Sequence, residues 1–427
     1  RVRVRSRPAS NHVYASLSRA VVVKLTIPHE ALLQLARDAA RAADMHAFDR
    51  SRDVVLVAAP GELGAMAVGP AISVLARAPA DVEAGGQVAL PAHRLLETVR
   101  RVGAGAVTLA VDANAQVSLT RGKRTLRLGG RLPGDVDVPP VRPEAGAWSV
   151  MGVGVLARAI RCLAHAMPDP ALRPQFAGVR LEADGVTLAA FVTDGARAAM
   201  LETRVRFAGS VTLPYGLTKL IAGGVFGKAR DADAAEELSA DDASALRLEC
   251  ALTERGVWVR REGDDSLLVG ARKLVGEYPA WRALDDAGDY DPADVLLVDR
   301  AALLESADAF CVADPDAPDA VTLDWSGEEL RVLAVESNAA MGVGTGGSDA
   351  VELASRYVAP DGAWERRAAL NARFLRAALK SLDGHDAVEL KLRGASSPVR
   401  ISPIGAEPGT AAPLRRWCLI MPLASGA

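Results

Sequence analysis

Val179-Arg180-Leu181-Glu182 leads into Asp184-Gly185, and then Val186-Thr187-Leu188 follows. Apolar and polar residues alternate, break at a glycine-containing turn and resume. That is the pattern of a β-hairpin with one face buried. The same pattern occurs twice more. Val54-Val55-Leu56-Val57 runs into Pro60-Gly61 and on from Leu63. Val321-Thr322-Leu323-Asp324 runs into Ser326-Gly327 and then Leu330-Arg331-Val332. The spacing of roughly 130–140 residues marks an internal repeat, which decides the architecture before any single motif does.

Working outward, each hairpin is preceded by a stretch with helical periodicity: Ala31–Asp44, Gly154–Met167 and Arg300–Ala313. Each is followed by a second such stretch, Pro91–Gly103, Pro214–Val225 and Asn371–Gly384, and then by strand-like segments, Ala106–Leu128, Ala245–Leu274 and Ala387–Leu423. Linkers rich in Pro, Gly or Asp fall near Val141–Ala147 and Asp285–Asp291. The expected fold is α+β: three domains at 21–145, 146–287 and 288–427, each with two helices packed on antiparallel sheet. Residues 1–20 carry five arginines and no apolar core, and they read as a disordered extension or a basic arm.

Composition narrows the function. The formal charge is −3, from 50 Lys+Arg against 53 Asp+Glu. A protein that reads DNA through its grooves is usually basic overall, so any nucleic-acid role must rest on local charge placement. The six helical stretches supply it. They hold twelve Lys/Arg and six Asp/Glu, a surplus of +6 in a chain that is negative as a whole. In Gly154–Met167, Leu156, Ile160, Leu163 and Met167 form an apolar stripe, with Arg158, Arg161 and His165 on another face. In Asn371–Gly384, Arg373, Arg376 and Lys380 repeat that spacing. Arg37 with Arg41 and Arg94 with Arg101 are same-face pairs. Any one such face is ordinary in a solvated amphipathic helix. Several together on a repeated acidic protein suit sequence-blind contact with phosphates.

Four longer matches then carry a resemblance. Phe176-Ala177-Gly178-Val179-Arg180-Leu181, with Val192-Thr193-Asp194-Gly195-Ala196-Arg197, resembles the middle domain of bacterial DNA polymerase III sliding clamps. Lys273 to Arg282, ending Tyr278-Pro279-Ala280-Trp281-Arg282, is similar to that domain's closing segment. Leu370-Asn371-Ala372-Arg373-Phe374-Leu375 resembles the last helix, and Leu419-Ile420-Met421-Pro422-Leu423 the C-terminal strand. The resemblance spans roughly residues 21–427.

It implies a non-catalytic processivity factor without cofactor or metal: a head-to-tail homodimer whose six domains ring double-stranded DNA in the cytoplasm. Arg37, Arg41, Arg94, Arg101, Arg158, Arg161, Arg373, Arg376 and Lys380 would face the DNA. Leu126 and Leu128 on one protomer would meet Phe310 and Cys311 on the next, although all four also suit an intradomain core. The implied partners are the DNA polymerase III alpha subunit, other polymerases and a clamp loader. Their peptide motifs would enter a pocket formed by Arg173, Phe176, Thr193, Gly195, Arg197, Pro279, Leu284, Asn371, Phe374, Leu419, Met421 and Pro422. Plain core packing is the alternative reading of Phe176, Leu284 and Leu419. Ala196 stands where the family usually has histidine, Ala198 where leucine is usual, and Gln175 where an aromatic residue is common. A specialised or inhibitor-tolerant paralogue is therefore an alternative, as is a monomeric peptide-binding scaffold.

Other chemistry is poorly supported. Gly342-Val343-Gly344-Thr345-Gly346-Gly347 fits a nucleotide-loop pattern, but Asp349 to Leu353 after it alternates like a strand and not like the helix such a loop needs. The six histidines show no metal-ligand spacing, and Cys162, Cys250, Cys311 and Cys418 form no CxxC pair, which fits a reducing compartment. Asp194 before Gly195 reads as a turn residue.

Overall fold

A computed structural model of the chain describes residues 22–43, 52–132, 148–205, 208–226, 247–253, 256–274, 278–286, 295–311, 320–326, 329–334, 351–357, 366–392, 397–405 and 415–423. The N-terminal extension, most of both expected linkers, the acidic stretch 227–244 and the glycine-rich 342–347 lie outside these residues.

The element order repeats three times. The first round is β1 Val23–Pro28, α1 His29–Ala42, β2 Asp53–Ala59, β3 Glu62–Val68, β4 Ile72–Pro79, β5 Asp81–Ala84, β6 Gly86–Pro91, α2 Ala92–Val102, β7 Ala106–Val111, β8 Gln116–Arg121 and β9 Arg124–Gly129. The second is β10 Trp148–Gly152, α3 Val153–Leu163, β11 Gly178–Asp184, β12 Thr187–Thr193, β13 Arg197–Arg204, β14 Ala208–Pro214, α4 Tyr215–Ala222, β15 Arg247–Leu252, β16 Gly256–Arg261 and β17 Asp264–Arg272. A short helix, α5 Trp281–Asp286, follows. The third round is β18 Val295–Asp299, α6 Arg300–Ala309, β19 Ala320–Ser326, β20 Glu329–Ala334, β21 Val351–Tyr357, β22 Arg366–Asn371, α7 Ala372–Ser381, β23 Ala387–Lys391, β24 Val399–Ile404 and β25 Arg415–Ile420.

The local chemistry repeats as well. In each round strands run straight into helices, and the junction residue suits the change. Pro28, Pro91 and Pro214 hold the extended φ that precedes α1, α2 and α4. Asp299 and Asn371 cap α6 and α7 by accepting from Ala302 N at 2.7 Å and Phe374 N at 3.2 Å. One stripe of each helix is buried, as with Ala92, Leu95, Val99 and Val102 on α2 and Ala372, Leu375, Ala378 and Leu379 on α7.

Every strand pairing is antiparallel among the described residues, and the sheets do not stop at the repeats. β4 of the first round pairs with β17 of the second, and β13 of the second pairs with β25 of the third. The chain accordingly forms two compact units, 1–150 with 248–273, and 151–247 with 274–427. The strands that close the second round belong to the first unit's eight-stranded sheet, β10-β15-β16-β17-β4-β3-β2-β6. In the second unit one sheet of twelve strands joins β14-β11-β12-β13 to β25 and the rest of the third round. No helix among the described residues is long and apolar enough to cross a membrane.

Candidate functional site

The turn Thr193-Asp194-Gly195-Ala196-Arg197 joins β12 to β13 in the second unit. Asp194 holds it: Oδ1 accepts from Ala196 N and Arg197 N at 2.9 Å each, and Oδ2 accepts from Arg197 Nε at 2.8 Å. Thr193 Oγ1 donates to Arg197 O at 2.8 Å and accepts from Gly195 N at 3.0 Å. Asp194 is thus a turn residue, as its place before glycine suggests. Gly195 has φ +86°, and the Arg173 guanidinium occupies the space a β-carbon there would need.

From this turn, contacts reach the end of the chain and the start of α7. The Arg197 guanidinium lies 4.2 Å above the Phe374 ring. Met421 N donates to Ala196 O at 2.8 Å, and Leu423 N to Ala369 O at 2.7 Å, so the C-terminal strand is fastened on both sides. Leu419 pairs with Ala198 and is buried. Met421 stays 43 % exposed beside it, an apolar side chain offered to solvent.

The second wall is the segment 278–286. Tyr278 and Trp281 pack into a cluster with Ala189, Phe191, Ala198, Met200, Trp417 and Leu419. The Phe176 and Tyr278 rings meet edge to face at 6.2 Å, and Phe191 lies 6.0 to 6.3 Å from Tyr278, Trp281 and Trp417. The chain has only 18 aromatic residues (7 Phe, 6 Trp, 5 Tyr), and five of them gather here. Burial pushes the Tyr278 hydroxyl well above its usual range.

Of the expected pocket residues, Arg173, Phe176, Thr193, Gly195, Arg197, Phe374, Leu419 and Met421 are joined by these contacts. Pro279 and Leu284 sit on the connecting segment, and Leu284 is exposed. Pro422 follows Met421 at the strand end, and Asn371 spends its side chain capping α7. Sequence reasoning missed Phe191, Trp281 and Trp417 as the buttress. Rarity of aromatic residues was the available signal.

His165, expected on a basic helix face, is half-buried and neutral. Burial first, and then the charge of Arg197, bring it down to about 4. Its Nδ1 lies 3.0 Å from Cys162 O.

The cationic helix residues divide into two groups. Arg37, Arg41, Arg94, Arg101, Arg161 and Lys380 are exposed, while Arg158, Arg373 and Arg376 are half-buried. Arg376 and Lys380 both pair with Asp308 of α6, the latter at 3.6 Å, and Arg41 Nε is 3.4 Å from Asp38. Part of the counted surplus is therefore neutralised locally. Leu126 and Leu128 lie half-buried on β9, an edge strand of its sheet, and Phe310 and Cys311 half-buried at the end of α6. No group of His, Cys, Asp and Glu suited to a metal ion occurs among the described residues.

No protein-family model matches the chain. The beta sliding clamp of Synechocystis sp. (strain ATCC 27184 / PCC 6803 / Kazusa) is 25% identical over 360 residues, covering 81% of this chain and 84% of that protein. A DNA polymerase III beta subunit structure from Eubacterium rectale aligns over 94% of this chain and all of its own, with TM-score 0.76 and 18% identity. A Bartonella birtlesii DnaN sliding clamp bound to griselimycin aligns over 94% and 99%, with TM-score 0.74 and 18% identity. The triplicated fold and these similarities agree: the chain is similar in sequence to beta sliding clamps and shares the fold of DNA polymerase III beta subunits.

Proposed function

We propose that the protein is a DNA sliding clamp, a non-catalytic ring that holds replicative polymerases on double-stranded DNA. The observation that carries this reading is the continuation of sheets from repeat to repeat. The first round's β4 edge takes the second round's last strand, and the second round's β13 edge takes the third's last strand. By the same rule, the third round's β21, which pairs with β20 over residues 351–354 and with β18 over residues 355–357, calls for another last strand beside residues 351–354, and β9 of the first round is a last strand with one edge unpaired among the described residues. A second copy supplies both partners. A head-to-tail contact whose rotation closes makes a ring. Leu126 and Leu128 on β9 then meet Phe310 and Cys311 of the next protomer.

Function follows from this geometry. Paired helices in each repeat carry Arg37, Arg41, Arg94, Arg101, Arg158, Arg161, Arg373, Arg376 and Lys380 toward the phosphates, without reading bases. Weak, sequence-blind contacts let the ring slide. Tethering raises the effective concentration of a polymerase at the primer end. The cleft around Arg173, Arg197, Phe374 and Met421 takes short peptides with leucine and aromatic anchors, from the DNA polymerase III alpha subunit, other polymerases and a clamp loader. Apolar walls bury the anchors and a few polar groups orient the chain. Ala196 stands where the family usually has histidine, which keeps a specialised paralogue as the alternative reading.

Sedimentation of the purified protein tests the ring. A mass about twice 44.6 kDa at micromolar concentration supports it, and a monomer contradicts it.

A further inference from the structure

Glu182 lies on β11, two residues from Arg180 on the same side of the sheet, while Val179 and Leu181 point into the core. Its carboxylate gathers three donors. Trp281 Nε1 reaches Oε2 at 3.1 Å, the Arg282 guanidinium meets the same oxygen, and Arg180 Nε reaches Oε1 at 3.1 Å. Arg282 also stacks on the Trp281 ring at 4.5 Å, so one carboxylate holds a ring and its covering cation together. Four residues back on the same strand, Gly178 O accepts from Tyr278 Oη at 3.1 Å. The connector is therefore pinned at two points, and Pro279 lies between them. Leu284 projects from α5 immediately beyond the second.

The two pins differ in kind. Aromatic packing keeps the Trp281 ring buried whether or not its N–H has an acceptor. Burial is non-directional, so it sets depth and not rotation. Charge-assisted hydrogen bonds are directional and stronger than neutral ones. The carboxylate therefore fixes how α5 is turned, while the cluster fixes that it is docked.

We propose that Glu182 is a positioning residue for partner-peptide binding: through Trp281 and Arg282 it orients the connector that presents Pro279 and Leu284 to the peptide. This rests on the peptide-pocket reading given under Proposed function. Glu182 itself touches no peptide.

The test uses the full-length protein and a fluorescent synthetic peptide carrying one leucine and one phenylalanine anchor. Its affinity is measured for the native protein, Glu182→Gln, Glu182→Ala, Trp281→Phe and the Glu182→Ala/Trp281→Phe double variant. Thermal midpoint and dimer mass are followed alongside. Glu182→Ala is expected to weaken binding about tenfold. Glu182→Gln, which keeps an acceptor for the indole N–H, restores part of the loss. The double variant binds no worse than Glu182→Ala, because both changes break one link. Dimer mass stays unchanged throughout. Undiminished affinity in Glu182→Ala, independent multiplying losses in the double variant, or a collapse of dimer mass that accounts for the loss each overturns the proposal. If the native protein binds no peptide, the pocket reading fails first and takes this proposal with it. Binding by the native protein with any of the three adverse results rejects the positioning role alone.

Discussion

Two junctions in this chain use the same device and finish it differently. At the first, β4 pairs with β17, and a small buried cluster of Ala251, Trp258 and Leu268 forms with Leu75 packed against it. At the second, β13 pairs with β25, and the sheet is covered by a connector that brings Tyr278 and Trp281 onto Phe191, Met200 and Trp417. Main-chain pairing alone is enough to join two repeats. The additional aromatic rings, the Glu182 carboxylate and the Arg197–Phe374 stack serve something beyond joining. The plain junction is scaffold, and the elaborated one is scaffold plus the proposed site.

The sharpest way to break that comparison is to remove the buried indole from each junction. Trp258→Ala and Trp417→Ala should each cost about 3–5 kcal/mol, since both side chains are almost fully buried. Denaturant unfolding measures this. Only Trp417→Ala should abolish peptide binding. Equal loss of binding in both variants would erase the distinction between the junctions.

Acid should weaken the second junction next. His165 is neutral in the folded state at about 4 and titrates at 6.5 when unfolded. The unfolded chain therefore binds the extra proton first. Stability is fully present above pH 6.5 and falls as the pH drops toward 4, by roughly 3 kcal/mol at most. His165→Gln should remove that part of the slope, as read from unfolding midpoints across this range. Glu182 adds a loss of the same sign at lower pH. Burial raises its pKa, but hydrogen bonds from Arg282, Arg180 and Trp281 outweigh that and hold it below the usual carboxylate range.

A smaller effect isolates the first junction. Gly270 lies under Trp258, and a β-carbon there would come within 2.6 Å of the ring. Gly270→Ala should cost about 1–3 kcal/mol through overpacking, with peptide affinity unchanged. The smallest effect belongs to the stack at the site. Arg197→Met keeps an apolar stem over Phe374 and should weaken peptide binding by about 0.5–1 kcal/mol, seen in titrations, alongside a lowered unfolding midpoint from loss of the Arg197–Asp194 pair.

The hairpins and helices were legible because their signals are local. Alternation flanking Pro60-Gly61 and Asp184-Gly185 needs only neighbours along the chain, and the helical stretches expected from Pro91, Pro214, Arg300 and Asn371 start within one residue of the observed helices, whereas the first starts at His29 and not at Ala31. The pairing of β4 with β17 was not legible. Strands such as β2 are buried on both faces, so their sequence names no partner and no register. The short polar strand β5, Asp-Val-Glu-Ala, carries too little pattern to stand out. At the site, the residues of the turn and the C-terminal strand came from resemblance. The buttress did not, because Phe191, Trp281 and Trp417 lie far apart in sequence and meet only in the fold. His165 sat at helical spacing with two arginines, and spacing alone could not reveal that desolvation first, and then a neighbouring guanidinium, keep it neutral.

The most direct measurement is retention of the protein on circular duplex DNA bearing a single nick, after loading, followed by one cut that linearises the circle. A closed ring held by topology stays on the circle and is lost from the linear ends. Equal retention on both forms would mean that contacts hold the protein in place, and the sliding-clamp account would be wrong.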